Sequence, residues 1–243
     1  MIVSFCKKWM GFVVMFCFLT NCWAFAKNQP QEYVILLHGL RRTKASMRQL
    51  EKSLKKEGYG VCNLGYPSRS GKIEELAAPA IETALEICRK NNAIKIHFVT
   101  HSMGGILLRY YLQNHEIEEL GRVVMLAPPN QGSEVVEHLR DWPLFRWWNG
   151  PAGMQLGIDS TSVPQQLPPA DFSVGIIAGT RSMNWWLSTF IPGANDGKVA
   201  VERTKLEGMS AFLALPVTHT FIMNNKEVKK QVLYFLENEK FFE

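Results

Sequence analysis

The sequence lacks the features that several protein classes require. Five cysteines among 243 residues are too few for a disulfide scaffold, and no C-x-x-C pair typical of a zinc site is present. Internal repeats and low-complexity tracts are also missing. Because 47% of the residues are hydrophobic and 20% are charged, the chain is neither a disordered tail, a collagen nor a coiled coil. The net charge of +5 is small and forms no basic stripe, so we expect no nucleic-acid partner.

Long uncharged stretches are also scarce, and the one that stands out lies at residues 10–25. It follows Lys7 and Lys8 and ends in the small-x-small motif Ala24-Phe25-Ala26. A positive segment, an apolar segment and such a motif form the pattern of a secretory signal peptide. We therefore interpret residues 1–26 as a signal peptide, and we expect the protein to be periplasmic or secreted. An uncleaved N-terminal anchor helix is the alternative, since the segment is at the short edge of a membrane span.

The cysteines leave two questions open. Cys22 in the apolar segment is a candidate for lipid modification, although the preceding Asn21 is larger than the residue usually found there. Cleavage after Ala26 would remove three of the five cysteines and leave Cys62 and Cys88. In an oxidising compartment these two could pair, and otherwise they are buried free thiols.

Short apolar runs alternate along the chain with segments of helical periodicity. Such alternation predicts βαβ units, a mostly parallel sheet flanked by helices, and an α/β fold class. Pro79 interrupts the second helical segment and predicts a kink or a restart. The predicted strands are 33–37, 59–65, 94–99, 122–126, 172–178 and 212–217, and the predicted helices are 46–57, 73–88, 104–114 and 225–239.

The alternation of strands and helices breaks between the fourth and the fifth predicted strand, where the sequence is rich in tryptophan and proline. We interpret about 134–170 as a cap or lid insertion over the carboxyl edge of the sheet, part helix and part loop, within one domain at 27–243. A structureless loop of that length would be unusual in a compact domain. In parallel sheets ligands bind beyond the carboxyl ends of the strands, so the loops there are where chemistry is expected.

One of these loops carries the sharpest motif, Val99-Thr100-His101-Ser102-Met103-Gly104-Gly105. It lies where a predicted strand ends and a helix begins, which is the setting of a nucleophile elbow with the pattern G-x-S-x-G. Thr100 replaces the first glycine of that pattern, while Gly104 matches the second. Ser102 is therefore the predicted nucleophile.

A serine hydroxyl needs a base, and the scarcity of histidine and aspartate narrows the choice. Around such an elbow the acid and then the histidine follow the serine in chain order. Of six histidines, only His219 follows far enough along the chain, and of four aspartates only Asp196 lies in a turn-rich loop after a strand. We predict His219 as base and Asp196 as the residue that orients it, with Glu202 as the fallback acid.

The same reasoning predicts an oxyanion hole made by two backbone N–H groups. One follows the nucleophile at Met103, and the other lies in the loop after the first strand, at Leu40 in His38-Gly39-Leu40. We interpret His38 as a structural hydrogen bonder. We expect His101, beside the serine, to face away and serve packing.

These motifs resemble the α/β-hydrolase superfamily, and small bacterial esterases and lipases in particular. Besides the elbow and the His38 loop, Asn195-Asp196-Gly197-Lys198-Val199 is similar to the acid segment of bacterial triacylglycerol lipases. The resemblance covers about 33–240 and implies a Ser102, Asp196 and His219 triad with the hole at Leu40 and Met103. Some of these lipases bind calcium through an aspartate after the histidine. Thr220 stands there instead, so we expect no calcium site. We also expect no other metal and no cofactor.

The aromatic and arginine side chains do not decide which class of substrate the protein binds. Trp142, Phe145, Trp147, Trp148, Trp185 and Trp186 could line an acyl site or contact a membrane surface, but packing of the insertion is the favoured interpretation because large aromatics mostly supply burial. Four arginines follow strands and would gather near Ser102, where they could bind an anionic group; the favoured interpretation is solvated loop charge. These arginines are Arg41, Arg42, Arg69 and Arg181.

The predicted function is cleavage of carboxylic esters, as in an esterase or lipase, through an acyl-enzyme. An acyltransferase with the same triad and a non-enzymatic binding protein of the same fold are the alternatives. We expect a small-molecule or lipid ester as substrate, and a monomer. The acyl chain length and the alcohol part are not determined by the sequence.

Overall fold

The computed structural model describes residues 31–242 of the chain. The interpretation of residues 1–26 as a signal peptide lies outside these residues and stays a prediction. Six strands form one sheet in the order β2-β1-β3-β4-β5-β6, and every neighbouring pair is parallel. The strands are β1 (Glu32–Leu37), β2 (Gly60–Asn63), β3 (Lys95–His101), β4 (Leu120–Leu126), β5 (Val174–Gly179) and β6 (Ala211–Leu215).

The helices fill the connections between strands, as the alternation predicts. Helix α2 runs through Pro79 as one element, so the predicted restart at that residue is wrong. The helices are α1 (Arg48–Lys56), α2 (Ile73–Lys90), α3 (Met103–Leu112), α4 (Glu134–Leu139), α5 (Pro143–Met154), α6 (Val163–Gln166), α7 (Trp185–Ser188), α8 (Val201–Thr204) and α9 (Lys226–Asn238). Two 3-10 helices, Lys44–Met47 and His219–Asn224, complete the described elements.

Both faces of the sheet are covered by apolar side chains, which is why its strands are continuous hydrophobic runs. On one face Ile35 and Phe98 pack in the core that α2 and α3 cover. On the other face Val34 and Val99 pack against the side of α9 that carries Phe235. Strands β1, β3 and β5 are therefore fixed from both sides, and the loops at their carboxyl ends start from a rigid base.

The predicted insertion consists of α4, α5 and α6 with short connections. Its far end is attached to α3 by Arg109, a buried guanidinium that donates to the carbonyl oxygens of Leu167 and Pro168 at 3.1 and 3.0 Å. Burial lowers the pKa of Arg109 to about 10. The helix that follows the nucleophile thus also holds the insertion over the sheet.

Cys62 and Cys88 are both buried and both free. Of the two alternatives left open by the sequence, the structure has the pair of free thiols. None of the helices within residues 31–242 has the length and apolar character that a membrane crossing requires.

Candidate active site

Ser102 lies at the sharp turn between β3 and α3. Its φ of 52° and ψ of −124° place it in a backbone region that residues with side chains rarely adopt, as expected of a nucleophile held on a strained turn. Gly104 permits this turn, because a Cβ there would lie 2.6 Å from the carbonyl oxygen of Leu37 in β1. The elbow therefore sits directly against the neighbouring strand.

The three residues predicted as a triad form a continuous chain of hydrogen bonds. The Ser102 hydroxyl lies 3.1 Å from Nε2 of His219, and Nδ1 of His219 lies 2.7 Å from Oδ2 of Asp196. All three side chains are buried. Ser102 follows β3, Asp196 lies in the loop after β5 and His219 in the loop after β6, so the parallel sheet brings them to one edge.

Asp196 is held by its own loop as well as by the histidine. Its Oδ1 accepts the backbone N–H groups of Lys198 and Val199 at 3.0 and 2.9 Å, so both carboxylate oxygens have partners. Glu202, the fallback acid, is instead paired with Lys205 on the exposed side of α8. The geometry favours Asp196 over Glu202.

The loop after β1 brings the backbone of Leu40 to the same place. Neither the Leu40 N–H nor the Met103 N–H donates to another of the described residues, so both remain available for a ligand oxygen. The loop is fixed on both sides: the Arg41 N–H donates to Ser68 Oγ at 3.0 Å, and His38 accepts the Tyr66 N–H at Nε2. The role of Ser68 carried no signal in the sequence, because its contact spans the β1 and β2 loops.

His101 does not face away from the site, so that expectation is wrong. Its Nε2 donates to the carbonyl oxygen of His219 at 3.0 Å, and the two rings lie 5.0 Å apart. Burial holds the pKa of His101 well below its usual range, and the charge that His219 can carry lowers this pKa further. His101 is thus a neutral neighbour that helps to fix the backbone of His219.

A cavity of about 530 Å³ opens at Ser102 and His219, a size typical of sites for small molecules. One wall is apolar and comes largely from the insertion. Its members are Val135, Val136, Leu139, Phe145, Leu156 and Leu187. The predicted insertion therefore forms part of the site. Of its wall residues, the sequence analysis singled out Phe145 but none of the aliphatic ones.

The tryptophans are exposed, which corrects the favoured interpretation that they pack the insertion onto the sheet. Trp185 is 77% exposed and Trp147 is 66% exposed, and Trp142 lies beside Trp186 at the surface. Trp148 and Trp186 also line the cavity, whereas Phe145 is partly buried against the core. Trp147 and Trp185 are each next in the chain to one of these two lining tryptophans, and both are exposed.

The predicted cluster of arginines divides into two groups. Arg41 and Arg42 line the cavity, as does Lys198, which the sequence reasoning missed although it lies two residues after Asp196. Arg69 lies outside the lining and donates to the carbonyl oxygen of Trp147 at 2.9 Å. Arg181 is exposed and also lies outside the lining.

Within the described residues, no group of three or more histidine, cysteine, aspartate or glutamate side chains could hold a metal ion.

The sequence matches the family model described as palmitoyl protein thioesterase over residues 33–171. No curated protein sequence matches the chain. A lipase of Bacillus licheniformis in its mature form is similar in structure, with a TM-score of 0.71 and 19% identity over 86% of this chain and 93% of that one. A metagenomic carboxyl esterase has a TM-score of 0.60 and 20% identity over 79% of this chain and 65% of that one. An esterase of Pyrococcus furiosus has a TM-score of 0.54 and 18% identity over 87% and 83%.

The six-stranded parallel sheet and these structures confirm the predicted α/β-hydrolase fold. The family model covers more than half of the chain and includes the loop after β1, the elbow and the insertion. The chain thus belongs to the palmitoyl protein thioesterase family, and it is a carboxylic ester hydrolase.

Proposed function

We propose that the protein cleaves carboxylic esters, thioesters included, through an acyl-enzyme on Ser102. The hydrogen-bonded series from Ser102 through His219 to Asp196 is the observation that carries this proposal. It supports activation of the hydroxyl, because the neutral imidazole can accept the serine proton while Asp196 holds the ring in the required tautomer.

In the proposed reaction the serine oxygen attacks the carbonyl carbon and His219 takes the proton. The carbonyl oxygen becomes an oxyanion, which the free N–H groups of Leu40 and Met103 bind. His219 then gives the proton to the departing alcohol or thiol, and water repeats the sequence to release the acid. Loss of one such backbone donor costs about 10²–10³ in rate, so the positions of the two loops contribute to the rate in addition to the triad.

The apolar wall supports an acyl chain as the part of the substrate that enters beneath the insertion. Helix α4 presents aliphatic side chains there and α5 presents Phe145. Each buried methylene stabilises binding by about 0.8 kcal/mol. The name of the family supports a long acyl chain and a thioester.

We also propose that the protein acts at a lipid surface after export. The exposed tryptophans, two of which line the cavity, support surface contact, since indole rings favour the boundary between water and apolar chains. The pattern at residues 1–26 supports export by a cleaved signal peptide, with an N-terminal anchor as the alternative.

A fluorophosphonate probe, which labels activated serine hydroxyls, tests the nucleophile. We expect labelling of the wild type and none of Ser102→Ala. Ser133→Ala is the matched control, because this serine lies in the same cavity but its hydroxyl donates to the carbonyl oxygen of Lys198 and not to a histidine. Labelling that persists in Ser102→Ala would show that the nucleophile lies elsewhere.

A further inference from the structure

Three cations line the cavity without a carboxylate partner among residues 31–242. Arg41, Arg42 and Lys198 are absent from the ion pairs formed within these residues. Arg42 donates one N–H to the carbonyl oxygen of Thr220 at 3.0 Å, and the Arg41 guanidinium lies 4.0 Å from the centre of the Trp148 ring. Both contacts orient a charge without neutralising it.

The three positive charges repel one another at a partly desolvated site. Burial and then the neighbouring Arg42 lower the pKa of Lys198, although the nearby Asp196 acts in the opposite sense. Burial and the neighbouring arginines likewise lower the pKa of Arg41. The Lys198 side chain lines the cavity and remains exposed to solvent. Like charges held together in this way are stabilised when an anion binds between them.

Arg42 and Lys198 flank His219, whereas the Arg41 side chain lies against Trp148 of α5. The Arg42 acceptor, Thr220, is the residue after His219, and Lys198 donates its backbone N–H to the carboxylate that holds His219. In the proposed reaction His219 delivers the proton to the leaving group, so the alcohol or thiol part of the substrate passes on this side. The acyl chain has the aliphatic residues of α4, with Phe145 and Leu156, in the same cavity.

We propose that Arg41, Arg42 and Lys198 form a subsite for an anionic group, a phosphate or a carboxylate, on the alcohol or thiol part of the substrate. The subsite deepens the proposed function and rests on it. It makes the enzyme selective for acyl esters or thioesters whose leaving group carries a negative charge. Arginine forks and a lysine suit this task, because both groups form charge-assisted hydrogen bonds to anionic oxygens.

Three octanoyl thioesters with different thiols test this selectivity. The thiols are N-acetylcysteamine, which is neutral, 3-mercaptopropanoate, which carries a carboxylate, and 4′-phosphopantetheine, which carries a phosphate. We expect the wild type to prefer one or both anionic substrates in kcat/KM by about 10–100-fold, the range of one charge-assisted hydrogen bond or more. The preferred anion then identifies the source of the charge.

The double variant Arg42→Gln, Lys198→Gln is expected to lose most of that preference, by about tenfold or more. Arg181→Gln is the matched control, since this exposed arginine lies outside the cavity lining and should keep the wild-type ratio. An anionic-to-neutral ratio near one in the wild type, or an equal ratio in the double variant, would overturn the subsite.

A binding measurement distinguishes failure of the subsite from failure of the proposed function. Titration calorimetry of Ser102→Ala with octyl phosphate and with octanol requires no hydrolysis. We expect tighter binding of octyl phosphate, lost when Arg42→Gln and Lys198→Gln are added. If no thioester is cleaved but this difference remains, the subsite stands and the proposed reaction fails; equal binding of the two ligands overturns the subsite whatever the activity.

Discussion

Asp196 and His219 owe their assignment to the scarcity of their residue types. With four aspartates and six histidines in the chain, the required order of serine, acid and histidine leaves almost one choice for each position. The structure places both side chains within hydrogen-bond distance of the next member of the series. Lys198 had no comparable signal, because lysines are numerous and only the fold brings this one to the cavity.

Replacement of Asp196 by asparagine tests the triad at the scale of a single residue. An amide can still accept the backbone N–H groups of Lys198 and Val199, but its NH₂ group favours the wrong tautomer of His219. We expect kcat for p-nitrophenyl butyrate to fall by about 10³–10⁴ with little change in the circular dichroism spectrum. Glu202→Gln is the control and should retain the wild-type kcat, and an equal loss in both variants would contradict the assignment of the acid.

At the scale of elements, the insertion shows which structural features a local sequence pattern predicts and which it does not. The sequence predicts its bounds and its mixture of helix and loop, and the structure has three helices there. The prediction that its aromatic side chains are packed is wrong for the tryptophans, which are exposed, but holds for Phe145, which packs against the core. A helix with aromatic residues at several faces can bury or expose them, and the choice depends on what lies opposite, which a local pattern does not contain.

Gly150 provides a test of how α5 is held. Its φ of 71° interrupts the helix, and a Cβ there would lie 2.2 Å from the carbonyl oxygen of Arg69. We expect Gly150→Ala to lower the free energy of unfolding by about 2–6 kcal/mol. The cost comes from overpacking and from backbone strain, because a ψ of −178° places the residue in a region nearly confined to glycine. Urea denaturation measures this change.

Gly193→Ala is the matched control for that substitution. Gly193 has a similar φ of 69°, but nothing lies within 4 Å of the added Cβ. We expect only the backbone cost of about 1–2 kcal/mol. Equal destabilisation by the two substitutions would show that the contact with Arg69 does not hold the kink of α5.

For the whole molecule, the distribution of exposed apolar side chains predicts which face meets a lipid surface. Trp147 and Trp185 are exposed and are each next in the chain to a tryptophan that lines the cavity, whereas the exposed Ile94 precedes β3 at the opposite edge of the sheet. We expect Trp147→Ser with Trp185→Ser to weaken sedimentation with phosphatidylcholine vesicles by about tenfold or more, from loss of side-chain burial. Ile94→Ser should bind as the wild type does, and equal binding by all three proteins would count against surface contact.

The sequence by itself determined the fold class, the strand and helix order, and the identity of the residues that the structure joins around Ser102. These depend on periodicity, on the elbow motif and on chain order, which are all properties of the linear chain. Only the tertiary structure decided that His101 supports His219, that the tryptophans face solvent, and that Arg41, Arg42 and Lys198 share one cavity. The physical reason is that a parallel sheet gathers loops from distant segments at one edge, so the contacts between those loops depend on strand order and packing.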